Sequence, residues 1–271
     1  GSVTYICTDK TGTITKNKMH VEEVYVNGQA VSRNELSATA QEETLSLLLQ
    51  AFALNNDAVM DAEKNLKGDS TEIALLELAL ERQVETSNWP RLTEIAFDSE
   101  RKLMTTFHRH GEKIVSFTKG APDILLPRCR NIATTDLLQV VDRMAAKGYR
   151  VLGFAFRYWN TLPDRPDVMV HEHDLQFLGL AGIIDPPREE IKEAVAQCKT
   201  AGIIPVIITG DHPLTATNIA RRTGIIEQSN ELVITGKELA AMDEESLKER
   251  IGKIRVYARV SPEQKLQIVK T

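Results

Sequence analysis

Apolar positions along this chain change rhythm near residue 175. Before it, period-2 alternation is prominent. His20 to Val26 and Gln29 to Ser32 read as two strands around Asn27-Gly28, a dipeptide that supplies the positive φ angles of a tight hairpin. Leu45, Leu48, Leu49 and Phe52 recur at helical spacing and predict one amphipathic helix face. An acidic, mobile loop is expected from Asn55 to Lys67. Asp69 to Arg82 predicts a second helix, with Asp69 and Glu72 in capping-box spacing. Strands are expected at Leu92–Phe97, Lys102–His108 and Lys113–Thr118, the last two joined by a turn at His110-Gly111. A helix at Thr135–Lys147 and a strand at Arg150–Arg157 complete a region that reads as α+β, with an antiparallel sheet.

Beyond that point strands and helices alternate. Strands are expected at Leu175–Ile184, Ile203–Ile208 and Arg255–Ala258, and helices at Arg188–Ala201, Pro213–Thr223 and Pro262–Lys270. This alternation predicts an α/β fold with a doubly wound parallel sheet. Pro187 and Pro262 fall at first-turn positions, and Ser261 at an N-cap position. The run Val3 to Thr8 reads as a buried strand without a parallel partner nearby, so it is expected in the late sheet. The middle region then becomes an insertion, with domains at 1–18 plus 184–271 and at 19–183.

Composition adds limits. The chain has 271 residues, 42% of them apolar and 26% charged, as in an ordinary globular protein of two domains. Its net charge of −5 argues against nucleic acid as a partner. No apolar run approaches the roughly 20 residues that span a bilayer, and no signal-peptide pattern opens the chain. Cys7, Cys129 and Cys198 lie far apart without a CxxC pair, which argues against a zinc site or a disulfide framework and for reduced thiols in cytosol. Cys7 reads as a small buried strand residue.

Three expected parallel strands end in residues suited to phosphate. One delivers Asp9, one delivers Thr209-Gly210-Asp211, and one leads through Arg259 to the helix carrying Lys265. Ligands of open α/β sheets sit outside the carboxyl ends of strands. A carboxylate, a hydroxyl, a glycine permitting close backbone approach and a cation together suit a transferring phosphoryl group.

Five segments occur in order: DKTGT (Asp9 to Thr13), KGAPD (Lys119 to Asp123), DPPR (Asp185 to Arg188), TGD (Thr209 to Asp211) and ARVSPEQK (Ala258 to Lys265). In this the chain resembles P-type cation-transporting ATPases of the calcium, sodium/potassium and proton-pump branch, the calcium pumps most of all. The resemblance covers essentially the whole chain. It implies a haloacid-dehalogenase-like phosphorylation domain interrupted by an inserted nucleotide-binding domain. It also implies ATP and Mg²⁺ as ligands, and Asp9 as the nucleophile that becomes an aspartyl phosphate.

Residue by residue, the resemblance implies that Asp9 and Thr11 hold Mg²⁺ and that Thr209, Gly210 and Lys265 hold phosphate, with Lys10 beside them. It places Asp211 and Arg259 close to the nucleotide and Asp185 at the hinge between domains. Phe97, before Arg101-Lys102, resembles the phenylalanine that stacks on adenine. Lys119 with Gly120 resembles the bottom of the adenine pocket, and Glu72 an acid near the adenine amino group. Arg150, assisted by Lys102, resembles an arginine that reaches the phosphates or ribose.

KGAPD carries Asp123 where the family commonly has Glu. A GDGVNDAP segment, the membrane helices and the actuator domain do not occur in the 271 residues, so the chain reads as part of a longer pump at the cytosolic face of a membrane. The transported cation would bind in the membrane domain. A soluble haloacid-dehalogenase-type phosphatase is the competing reading. Such enzymes carry a second Asp two residues after the nucleophile, where this chain has Thr11. A non-catalytic nucleotide-binding module is a third reading. No Gly-Lys pair is followed by Ser or Thr, which excludes a P-loop.

Overall fold

The computed structural model describes residues 3–36, 43–162 and 165–270. It is mixed α/β and divides into two compact units. One takes the chain up to Lys18, the short Ala146–Gly148 stretch and everything from Asp185 onward. The other takes Met19–Ala145 and Tyr149–Ile184.

In the first unit four strands lie parallel in the order Tyr5–Thr8, Ile204–Ile208, Ile254–Ala258 and Leu232–Thr235. The opening strand therefore joins the late sheet, as its lack of a local partner predicts. Contrary to the expectation of a buried strand, Tyr5, Ile6 and Cys7 are exposed. Among the described residues this strand pairs on one side only, so its outer flank is open. Val206, Ile208, Ile234, Ile254 and Tyr257 form the core of this unit with Leu239, Leu247 and Ile268 from helices packed on it.

Helices run over Ile191–Thr200, Pro213–Arg222, Gly236–Ala241, Glu244–Arg250 and Pro262–Lys270. The last begins as predicted: Gln264 N–H donates to Ser261 Oγ at 3.3 Å, and Ser261 N–H donates to Gln264 Oε1 at 3.0 Å. Pro187 is not in the first turn of a helix. It bridges Thr15 in a strand-like pair, and the helix starts at Ile191. The strand Leu232–Thr235 and the two short helices after it escaped the periodicity, each being too short to establish one.

The second unit is built on seven antiparallel strands in the order Gln29–Ser32, His20–Val26, Gln176–Ile184, Arg150–Trp159, Lys113–Gly120, Leu103–His110 and Arg91–Asp98. The Asn27-Gly28 hairpin forms with both residues at positive φ, 52° and 80°. Gln176–Ile184 corrects the sequence reading, which counted it among the parallel strands. It runs antiparallel between His20–Val26 and Arg150–Trp159, with Leu178–Ile184 buried throughout. A strand covered on both faces reads as one apolar run in either kind of sheet.

The helices Glu43–Leu54 and Ser70–Glu81 cover one face of this sheet. Leu48, Phe52, Leu75 and Leu78 pack there with Val24, Phe117 and Phe154, all fully buried. Removing surface of this kind from water at about 25 cal/mol per Å² is what holds helices to sheet.

Candidate active site

Asp9 lies one residue past the end of its strand. Thr8 pairs with Ile207, so Asp9 and Thr209 occupy matching ends of neighbouring parallel strands. Lys265 Nζ donates to Asp9 Oδ2 at 2.5 Å. Lys10 is 5% exposed, and its ammonium pairs with the Asp211 carboxylate. A buried ammonium needs such a partner. The strand-end loops are interlocked: Arg259 N–H donates to Asp211 O, Val260 N–H to Thr209 O, and Asp211 N–H to Thr209 Oγ1, at 3.1, 3.2 and 3.1 Å. Arg259 takes a φ of +52° to make this crossing. Thr209 is buried, while Gly210, Thr11 and the Arg259 side chain are exposed.

The DKTGT loop is clamped from behind. Gly12 has φ +75°, a left-handed turn that suits glycine. Arg188 Nη2 donates to its carbonyl at 3.0 Å. Thr15, fully buried, donates from Oγ1 to Asp185 Oδ2 at 2.5 Å, and Lys18 N–H donates to Asp185 Oδ1 at 3.2 Å. The sequence suggests a hinge at Asp185 but gives no sign of Thr15 as its partner or of Arg188 as the clamp on Gly12.

In the second unit Lys119 and Glu72, two of the residues singled out for adenine, are in direct contact, with Arg150 bonded next to Glu72. Arg150 Nη1 donates to Thr71 Oγ1 at 2.6 Å, next to Glu72. Glu72 Oε1 accepts from Lys119 Nζ at 2.5 Å, and Glu72 Oε2 accepts from Asp57 N–H at 3.1 Å. The capping box is therefore only half formed. Asp69 Oδ1 caps the helix through Thr71 N–H at 2.8 Å, but the Glu72 carboxylate turns to Lys119. Burial pushes the Lys119 ammonium below its ordinary pKa, opposed by Glu72. For Asp69, burial pushes the pKa up, but the Thr71 and Glu72 amides outweigh it and hold the carboxyl low.

Gly120 follows Lys119 at the strand end. A Cβ there would land on the Lys102 carbonyl oxygen, which accepts from Ala121 N–H at 3.1 Å. Gly120 thus brings the Asp98–Lys102 turn against the strand end that carries Lys119. Phe97, just before that turn, is 60% exposed, which excludes a core role. The same region corrects the expected mobile loop. Asn55 and Asn56 are buried, and Val59–Met60 pairs with Leu66–Lys67. Asn55 Nδ2 donates to Met104 O and Phe117 O, while its own carbonyl accepts from Lys119 Nζ. An asparagine pair directly after a helical apolar stripe was the available signal.

The first unit thus carries an open carboxylate facing a lysine at the ends of parallel strands, and the second a largely buried lysine–glutamate pair and an exposed phenylalanine. A family profile described as "P-type ATPase, cytoplasmic domain N" matches residues 44–190, and the chain belongs to that family. It is 41% identical to a protein named calcium-transporting ATPase 1 of Bacillus cereus, over all of this chain and 32% of that protein. It is 39% identical to the protein of the same name from Lactococcus lactis, over 100% and 32% respectively. A probable cation-transporting P-type ATPase of Mycoplasma genitalium is 41% identical over 99% of the chain and 29% of its own length. The chain thus spans about a third of the length of these relatives. Among the described residues no helix is long and apolar enough to cross a membrane.

Proposed function

We propose that this chain is the ATP-binding and phosphoryl-accepting part of an ATP-driven cation pump, and that the ion is calcium, as named for its relatives from Bacillus cereus and Lactococcus lactis. In this reading the first unit is a haloacid-dehalogenase-like phosphorylation domain and the second a nucleotide-binding domain, both on the cytoplasmic side of a membrane. The cation site, the transmembrane helices and the actuator domain belong to the rest of such a pump. The observation that carries the reading is Asp9, open to solvent past a parallel strand, with the Lys265 ammonium at 2.5 Å.

Adenine stacks on Phe97, with Lys119 and Glu72 beneath it and Arg150 and Lys102 toward the ribose and phosphates. An Asp9 carboxylate oxygen attacks the γ-phosphorus. The new O–P bond forms as the bond to the bridging oxygen breaks, and ADP leaves. Lys265, the Thr209 hydroxyl and the Gly210 backbone stabilise charge on the transferring group. Thr11 stands where a phosphatase needs a proton-transferring carboxyl. The aspartyl phosphate therefore persists instead of hydrolysing at once.

Magnesium fits the donors present. Among the described residues no group of three or more His, Cys, Asp and Glu side chains is arranged to hold a metal. Mg²⁺ instead suits one or two carboxylates plus substrate phosphates. The Asp9 carboxylate and the Thr11 carbonyl would hold it, and it would neutralise phosphate charge.

The test is phosphorylation of the full-length protein with labelled ATP. An acid-stable, hydroxylamine-sensitive phosphoprotein is expected, and it should be absent from Asp9→Asn. Label persisting in that variant would sink the reading.

A further inference from the structure

Glu172 is completely buried, and its carboxylate gathers three donors. Arg101 Nη1 donates to Oε1, Thr105 Oγ1 donates to the same oxygen at 2.9 Å, and Arg128 Nη1 donates to Oε2 at 3.1 Å. A carboxylate removed from water survives only when satisfied in this way. Thr105 and Thr118 face one another across neighbouring strands, with their hydroxyls 2.9 Å apart, while Met104 pairs with Lys119. Side chains alternate along a strand, so Glu172 sits on the reverse face of the sheet from Lys119.

Arg101 connects this buried carboxylate to the turn beside the adenine residues. Its Nη2 donates to Ala96 O at 2.5 Å, next to Phe97, and its backbone N–H donates to Asp98 Oδ1 at 2.8 Å. Glu100 N–H donates to that same oxygen at 3.0 Å, and Lys102 N–H donates to Asp98 O at 2.6 Å. Lys102 has φ +55°, a left-handed conformation that a non-glycine residue keeps only when its surroundings enforce it. Arg101 is the side chain of this turn that is anchored in the interior.

We propose that Glu172 is a positioning residue for the adenine nucleotide: through Arg101 it holds the Asp98–Lys102 turn from behind the sheet, so that Phe97 meets the base and Lys102 the ribose and phosphates in a fixed geometry. This rests on the nucleotide-binding reading of the second unit. Neither Glu172 nor Arg101 touches the nucleotide in that reading.

The experiment compares the wild-type chain with Arg101→Lys, Arg128→Lys and Glu172→Gln. It measures ATP affinity by calorimetry, amide hydrogen exchange at Glu100 and Arg101, and Tm. A lysine keeps the charge near Glu172 but lacks the planar fork that also serves Ala96 O. Losing that hydrogen bond should weaken ATP binding about five- to tenfold and speed exchange in the turn. Arg128→Lys disturbs the same carboxylate away from the turn. It should lower Tm comparably while leaving ATP affinity within about twofold, because its contact is structural only. Glu172→Gln, nearly isosteric, should weaken binding as Arg101→Lys does, and it carries the comparison if the lysine variant fails to fold. Affinity losses that simply track Tm across all three variants would overturn the proposal, as would wild-type affinity in Arg101→Lys and Glu172→Gln. Absence of ATP binding by the wild-type chain would overturn the nucleotide reading itself, and the proposal with it.

Discussion

Lys265 Nζ lies 2.5 Å from Asp9 Oδ2, although 256 positions separate the two residues in the chain. Both are partly open to solvent, with side chains 34% and 47% exposed, so the pair adds little to stability. Its placement suits chemistry better than folding.

Lys265→Met should therefore leave the chain folded and its ATP affinity intact. Removing one preorganised donor from a transferring group should slow phosphorylation of Asp9 by about 100- to 1000-fold. Rapid-quench labelling of the full-length protein measures this. A variant that phosphorylates at the wild-type rate would remove Lys265 from the site.

Phe97→Ala tests the base platform. Stacking of a base on an aromatic ring is worth about 1–3 kcal/mol, equivalent to roughly a 5- to 150-fold loss of affinity. Because Phe97 is largely exposed, the urea midpoint should not move. Calorimetry and denaturation of the same preparation separate the two effects.

Asp185→Ala removes the carboxylate that accepts from the buried Thr15 hydroxyl and from Lys18 N–H. A hydrogen bond to a charged acceptor typically contributes about 1.5–3 kcal/mol, so a loss of that size is expected in urea unfolding. Thr15→Val should cost less alone and little more in the Asp185→Ala background, the pattern of two groups sharing one interaction.

Buried His108 gives the chain an acid-sensitive element. Burial pushes its pKa down from 6.5 to about 4; the Trp89 carbonyl, 3.1 Å from Nδ1, opposes this, and the charge of Arg91 adds to it. The unfolded chain takes up a proton near pH 6.5 that the folded chain refuses until about pH 4. Stability from this site is complete above the higher value and is lost as pH falls toward the lower one, by up to about 3 kcal/mol. Between pH 7.5 and 4.5 the wild-type chain should lose about 2–3 kcal/mol more than His108→Asn does. Urea midpoints at the two pH values check it.

That Asp9, Thr209 and Lys265 come near one another is legible from strand-end logic alone, because parallel strands deliver their next residues to one crevice. Asp9, Thr209 and Lys265 follow from where three apolar runs stop. What connects Lys10 to Asp211, or Thr15 to Asp185, is not legible, since each pair meets only once the loops are folded. Glu172 is the extreme case. In His-Glu-His-Asp it reads as a surface charge, and its burial depends on Arg101 and Thr105 from one stretch of the chain and Arg128 from another. Gln176–Ile184 shows a different limit. An unbroken apolar run reveals burial on both faces but says nothing of strand direction.

His20 and Ile184 are registered partners on adjacent strands, and Lys16 N–H donates to Pro186 O at 3.0 Å just outside them. The intervening residues therefore start and finish at neighbouring points of one ladder, like a cassette clipped in by its two ends. Both ends of the segment are thereby reached from one place, the condition under which insertions and replacements are tolerated.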